Sequence, residues 1–172
     1  GEVVHKHPNS ELIVAEDGST DGTKEILLKL TQELSQLRWV EGKERRGYVR
    51  AFKEAMKLPK NEIVLFCDCS GKHDPKDAWK MLPLMSQADL VVGFKESRAD
   101  PIYRVALSRV FNSLVNAYFG THYKDINCPL RVFKRSAFLE VAKDPWLEKA
   151  LVNFEMTLRF VGKGYVVRQV PI

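Results

Sequence analysis

Within eight residues, Glu16-Asp17-Gly18-Ser19-Thr20-Asp21-Gly22-Thr23 places three carboxylates and two glycines. The plain reading is a strand-to-helix turn, with Asp21 or Thr20 capping the helix and the glycines permitting tight geometry. The pair Glu16-Asp17 at the strand end goes further, because a carboxylate there accepts from a nucleobase N–H or a ribose hydroxyl. A second cluster is Asp68-Cys69-Ser70-Gly71-Lys72-His73-Asp74-Pro75. Asp68 is a candidate ligand for a hard cation that bridges to a diphosphate; the alternative is a solvated turn in which it caps nearby backbone. Cys67 and Cys69 read as small core residues on one side of a strand rather than reactive thiols.

The third cluster is basic: Lys95, Arg98, Arg104 and Arg109. Arg104, Ser108 and Asn112 are spaced by four and share one helix face, with Arg109 beside them. That stripe is either a solvated surface opposite an apolar face or a set of guanidinium forks for phosphate oxygens. In the fourth cluster, Asp125 and Arg131 flank a turn containing Cys128-Pro129. A loop cap and a surface ion pair are the plain readings of that pair.

These clusters need elements to hold them. Leu12–Ala15 is an apolar run of strand type, and Ile26, Leu27, Leu30, Leu34 and Leu37 recur at helical spacing after it. Trp39-Val40 predicts a brief strand, residues 42–47 a charged loop, and Val49–Met56 a helix. Ile63–Cys67 and Asp89–Phe94 are continuous apolar strands, the mark of burial on both faces. Asp74 and Pro75 predict an N-cap and first helical residue of a helix towards Met85. A long helix is expected over Tyr103–Phe119, a strand at Arg131–Phe133, a helical turn at Ala137–Val141 and a helix at Val152–Val161. Tyr165–Val170 reads as a closing strand. Strands alternating with helices predict an α/β sandwich with a mostly parallel sheet, whose ligands lie beyond the carboxyl ends of the strands.

At 172 residues, 45% hydrophobic and 28% charged, the chain suits one domain, 1–172, with its own core. No apolar run approaches the length of a membrane span, and the first residues lack the apolar stretch of a signal peptide. Three cysteines without a CxxC pair argue against a disulfide framework or zinc site and for a reducing, cytoplasmic compartment. The net charge of +5 fits anionic partners, and no nucleic-acid motif accompanies it.

Taken together, the clusters resemble family-2 glycosyltransferases of the GT-A fold. The nearest subgroup is the dolichyl-phosphate mannose synthase-like and polyprenyl-phosphate sugar transferases. The resemblance rests on Leu12–Thr23, Arg46-Gly47-Tyr48-Val49-Arg50-Ala51, Asp68–Pro75, Arg104-x3-Ser108-Arg109-x2-Asn112 and Asp125-x2-Cys128-x2-Arg131-x-Phe133. Phe154-Glu155 and Val170-Pro171-Ile172 follow in register. It implies inverting transfer of a sugar from a UDP- or GDP-sugar, with a polyprenyl phosphate as acceptor at the cytoplasmic face of a membrane. Glu16, Asp17, Asp21, Arg46, Asp68 and Lys72 would then hold the donor, and Arg98, Arg104, Ser108 and Asn112 the acceptor or its phosphate. Asp125 and Arg131 would stand at the reacting centre.

Three departures qualify what the resemblance implies. The family's opening strand is not found before Leu12, and both ends are expected to be truncated relative to the family. Ser70 and Lys72 replace an acid and a glutamine of the metal motif, leaving Asp68 as the one carboxylate for Mg²⁺ or Mn²⁺. Glu16 replaces the first aspartate of its pair. The alternative is therefore a catalytically impaired nucleotide-sugar-binding domain of the same fold.

Overall fold

A computed structural model describes residues 7–45, 47–96, 101–145 and 152–172. They group into two compact units, one drawing on residues up to Glu62 and the other beginning at Ile63. In the first, β1 (Leu12–Ala15) pairs in parallel with β2 (Leu37–Val40), Leu12 opposite Leu37 and Ala15 opposite Val40. Between them runs helix α1 (Thr23–Glu33), as a parallel pair requires. The leucine spacing predicts a helix through Leu37, but the helix stops earlier. Leu34 is extended (φ −121°, ψ 93°), and the Leu12 N–H then bonds the Gln36 carbonyl, which starts β2 at the buried Leu37. Helix α2 (Tyr48–Ala55) buries Phe52 and Ala55. Among the described residues no strand precedes β1.

The second unit is built on four strands in the order β3-β5-β4-β6. Strand β3 spans Ile63–Phe66, β4 Leu90–Phe94, β5 Arg131–Lys134 and β6 Val167–Pro171. Strand β5 is antiparallel to both β3 and β4, whereas β6 is parallel to β4, so β5 alone runs against the common direction. All of β4 is buried, which explains its uninterrupted apolar sequence. Leu90, Val91, Val92, Val132 and Phe133 form the core with Phe138 and Phe160, whose rings lie 5.4 and 6.5 Å from that of Phe133. Each fully buried side chain of this kind stabilises the fold by about 1.5–3 kcal/mol. Asp89 ties three strands together, since its carboxylate accepts from the Val166 N–H and from Lys134 Nζ, both at 2.9 Å.

Asp74 caps as expected, its Oδ1 accepting from the Lys76 N–H at 2.9 Å with Pro75 following. The single helix expected towards Met85 is instead a 3₁₀ turn (Pro75–Asp77), the short helix α3 (Ala78–Met81) and a second 3₁₀ turn (Leu82–Ser86). Pro83 has no N–H to donate and its ring crowds the preceding turn, so the α-helical ladder stops at Met81. The long helix α4 (Ile102–Phe119) ends at Gly120, which is left-handed with φ +64°. Helix α5 covers Arg135–Val141 and α6 Val152–Gly162. The buried residues of α4 are Asn112 and Val115, while Tyr103, Leu107, Val110, Leu114 and Tyr118 are exposed. Its apolar face is thus turned outward and part of its polar stripe inward, the reverse of what the pattern predicts. The cysteines are free; Cys67 is half-buried and Cys69, expected in the core, is exposed because the strand ends at Phe66.

Candidate functional site

In the first unit, the acidic turn is an interlock of two backbones. Glu16 is buried; its Oε1 accepts from the Ser19 N–H and its Oε2 from the Gly42 N–H at 3.2 Å, with Lys24 Nζ 3.8 Å away. Burial alone would raise this carboxyl. The N–H groups of Ser19, Gly18 and Gly42 overcome that and hold it below the usual carboxylate range. A Cβ on Gly42 would stand 2.6 Å from the Gly18 nitrogen, and one on Gly18, where φ is +74°, 2.5 Å from backbone atoms of Glu44 and Arg45. Glycine is required at both positions so that residues 16–18 can lie against residues 42–45. Asp17 Oδ2 accepts from the Gly47 N–H at 2.8 Å. Asp21 is exposed and accepts from the Thr23 N–H and hydroxyl, while Gly22 takes the N-cap position of α1. Of the carboxylates expected to meet a nucleoside, Glu16 is committed to backbone N–H groups of its own turn and of Gly42, whereas Asp17 is half-buried and Asp21 exposed.

In the second unit, the reversed strand decides which loops meet. Because β5 opposes β3 and β4, the loop that enters β5 lies at the same edge as the loops that leave β3 and β4. Asp68, His73, Lys95 and Cys128 come together there from three distant stretches of sequence. Ser70 Oγ donates to Asp68 Oδ1 at 2.8 Å, and His73 Nδ1 is 3.6 Å from the same oxygen. His73 Nε2 lies 3.8 Å from Cys128 Sγ. Burial and the Lys95 charge push the His73 pKa down, and the nearby Asp68 and Asp125 only partly oppose them, so the imidazole is neutral at pH 7. Burial raises Cys67 and Cys128 to about 11, which leaves both as unreactive thiols. Beside this cluster is an open hollow of about 650 Å³, lined among others by Lys72, His73, Asp74, Asp77, Lys95 and Ile172. Lys95 Nζ donates to the Lys72 carbonyl at 2.6 Å.

The Asp125–Arg131 segment is braced from inside. Arg131 is 0% exposed. Its guanidinium donates through Nε (3.2 Å) and Nη2 to the Cys128 carbonyl, and through Nη1 to the Asn153 carbonyl (2.8 Å) and Thr157 Oγ1 (3.3 Å). Such a guanidinium holds the loop in shape from inside; Arg131, expected at the reacting centre, is found buried and bonded to the protein's own oxygens. Asn112 is likewise buried, donating to the Ser108 carbonyl at 2.7 Å and accepting from the Ile126 N–H at 3.0 Å. It fastens α4 to the same loop from the buried side. Asp125 is half-buried, and its carbonyl accepts from the Cys128 N–H at 3.3 Å. Of the helix stripe, Arg104 is exposed and Ser108 half-buried; Arg46 and Arg98 lie outside the described residues.

These residues do not fit a protein-built divalent-metal site. Asp68 accepts a hydrogen bond from the Ser70 hydroxyl, where a second carboxylate would be wanted, and Lys72 and Lys95 line the adjoining hollow. Among the described residues no three His, Cys, Asp or Glu side chains converge as metal ligands. Sequence reasoning passed over His73 and Cys128 as site members and gave Lys95 no role of its own. The pairing of β5 between β3 and β4, which joins them, is not visible in local sequence.

A sheet with one opposed strand, flanked by helices and carrying polar loops at one edge, is the GT-A type of α/β fold. Glucosyl-3-phosphoglycerate synthase from Mycobacterium tuberculosis, solved with Mn²⁺, UDP and phosphoglyceric acid, superposes with a TM-score of 0.73 at 17% identity, over 99% of this chain and 60% of that one. The chain belongs to glycosyl transferase family 2, whose sequence pattern matches residues 2–142. Similar curated proteins include glycosyltransferase AglJ of Haloferax volcanii, 30% identical over 94% of this chain and 53% of that protein. Dodecaprenyl-phosphate galacturonate synthase of Rhizobium johnstonii is 29% identical over 76% of this chain and 40% of its own length. The chain therefore spans roughly half of these relatives or less.

Proposed function

We propose that the protein transfers a sugar from a nucleotide-sugar to a polyprenyl phosphate at the cytoplasmic face of a membrane, with inversion. The observation that carries this reading is the pair Lys72 and Lys95 on one hollow at the loop edge of the sheet. An oxygen of the acceptor phosphate attacks the anomeric carbon from the side opposite the leaving group. The bond from that carbon to the donor diphosphate breaks, and its electron pair stays on the diphosphate oxygen. Lys72 and Lys95 neutralise the growing charge; a unit pair at 4 Å is worth about 4 kcal/mol at an effective dielectric constant of about 20 and about 1 kcal/mol in open water. The acceptor oxygen is already anionic, so no strong general base is needed. Asp125 orients the reactants, and Arg131 and Asn112 hold its loop.

Family membership and the name of the Rhizobium relative, which cites a dodecaprenyl phosphate, support the class of reaction and acceptor. Where relatives of this fold are solved with Mn²⁺, the ammonium groups are here read as taking over charge neutralisation. The test is titration of UDP and GDP by calorimetry, with Mn²⁺ or with EDTA, on the wild type and on Lys72→Met/Lys95→Met. The reading expects affinity that EDTA leaves unchanged and that falls at least about tenfold in the double variant. Binding that needs Mn²⁺ and ignores both lysines would overturn it. Binding without donor turnover would favour the impaired, nucleotide-sugar-binding alternative, for which Ser70 and Lys72 speak.

A further inference from the structure

The main chain on both sides of Asp125 is caught by carboxamide side chains. Gln169 of β6 accepts from the Lys124 N–H through Oε1 at 2.7 Å, and its Nε2 donates to the His122 carbonyl at 3.0 Å. Asn116 of α4 takes hold of the same stretch. Its Oδ1 accepts from the Tyr123 N–H at 2.9 Å and the Thr121 hydroxyl at 2.8 Å, and its Nδ2 donates to the Tyr123 carbonyl at 2.9 Å. Just past Asp125, the Ile126 N–H is taken by Asn112. A carboxamide carries both a donor and an acceptor, so it stands in for a peptide unit. Tyr123 exchanges both bonds with Asn116, as residues of an antiparallel pair do.

Residues 121–124 form neither helix nor strand. Water could serve the main-chain groups of such a loop, as it does in most surface connections. Here the end of a helix and the last strand converge on them instead, and the Lys124 ammonium lies over the Phe94 ring, 4.4 Å from its centroid. The loop is therefore fixed more firmly than satisfying it demands. What it carries next is Asp125, whose charge acts on both His73 and Cys128, so the carboxylate stands within electrostatic reach of the cluster at the sheet edge. We propose that Asn116 and Gln169 are positioning residues for the transfer reaction, fixing residues 121–124 from two elements and so setting the Asp125 carboxylate at that edge. The task given to Asp125 rests on the sugar-transfer reading; its placement by the two carboxamides does not. Support of this kind holds a reacting constellation to within a fraction of an ångström, and a misplacement of about 1 Å costs about a hundredfold in rate.

Side-chain NMR of the histidines tests the placement without needing turnover. His73→Gln identifies the His73 ring signals, and Asp125→Asn shows how far they move when the charge is removed. The proposal expects Gln169→Leu and Asn116→Leu each to reproduce at least about half of that movement, and to add little in the Asp125→Asn background. Circular dichroism and urea unfolding check each fold. Gln169 lies opposite Val92 in the β4–β6 ladder, which its main chain keeps when the side chain is exchanged. In transfer from UDP-glucose or GDP-mannose to dodecaprenyl phosphate, kcat should fall about tenfold to a hundredfold with donor KM unchanged. Gln169→Glu keeps an acceptor for the Lys124 N–H and should fall between the wild type and Gln169→Leu. His73 signals that ignore Asp125→Asn would overturn the proposal. So would signals that stay at their wild-type positions in Gln169→Leu and Asn116→Leu while the urea midpoints drop, the mark of a purely structural role. A wild type that transfers nothing tells against the sugar-transfer reading, whereas the His73 signals still decide the placement.

Discussion

Arg131→Met separates a brace from a catalytic group. Methionine fills much of the arginine's volume and removes the charge, so the variant reports mainly on the hydrogen bonds. The Cys128 carbonyl belongs to a residue 2% exposed and loses both guanidinium nitrogens that serve it, whereas the Asn153 carbonyl keeps the Thr157 hydroxyl at 3.0 Å. One buried acceptor left unpaired, together with the lost charge-assisted bonds, costs about 3 kcal/mol. That is roughly a hundredfold in the unfolding equilibrium and a large share of an ordinary domain's 5–15 kcal/mol. Arg131→Lys should fare little better, because one ammonium cannot span from the Cys128 to the Asn153 carbonyl. Urea unfolding followed by circular dichroism gives the stability, and calorimetry with UDP and GDP gives nucleotide affinity below the transition. The expected result is a lower midpoint at an unchanged slope, with nucleotide affinity preserved in the folded fraction. An unchanged midpoint accompanied by lost phosphate affinity would refute the bracing role and return Arg131 to the reacting centre.

Three further outcomes follow from the same geometry. Asn112→Ala leaves the buried Ile126 N–H unpaired and should cost about 1–3 kcal/mol, read as a lower urea midpoint and faster amide exchange at Ile126. Gly42→Ala drives a methyl into the backbone of residues 16–18 and should destabilise the first unit by at least about 2 kcal/mol, with exchange at Ser19 and Gly42 as the local readout. Burial would raise the Asp89 carboxyl, but Lys134 and the Val166 N–H outweigh it and lower it from 3.8. A depressed carboxyl contributes stability that is full above its unfolded value and lost as pH falls through the folded one. The stability gap between the wild type and Asp89→Asn should therefore be widest near neutrality and close as pH drops below 3.8. A gap independent of pH would contradict the assignment.

Most elements were legible in the sequence, because apolar runs such as Leu90–Phe94 and the Asp74-Pro75 start are local signals. The boundaries that failed did so where a competing interaction won: strand pairing at Leu37 and a proline at position 83. The acidic turn was legible as a turn, but not that Glu16 would be buried, since its partner Gly42 lies 26 residues away in sequence. The burial of Arg131 was hidden for a related reason. A guanidinium in a loop motif looks the same whether it faces a ligand or the Cys128 and Asn153 carbonyls, and the latter belongs to another element. The outward apolar arc of α4 inverted the usual rule, because periodicity tells which residues share a face and not which way that face turns.

The strand order β3-β5-β4-β6 also bears on how the chain acquires its shape. In each pairing of this sheet the partners are far apart along the chain: Ile63 waits for Lys134, Leu90 for Phe133 and Val167. No hairpin closes early to lower the entropy of the next step, so the sheet forms slowly for its size. On a ribosome, β3 and β4 emerge with an empty slot between them and stay without their sheet partners until β5 arrives. For that interval their unpaired edges are open to other nascent chains, which makes this half of the molecule the one exposed to aggregation during synthesis.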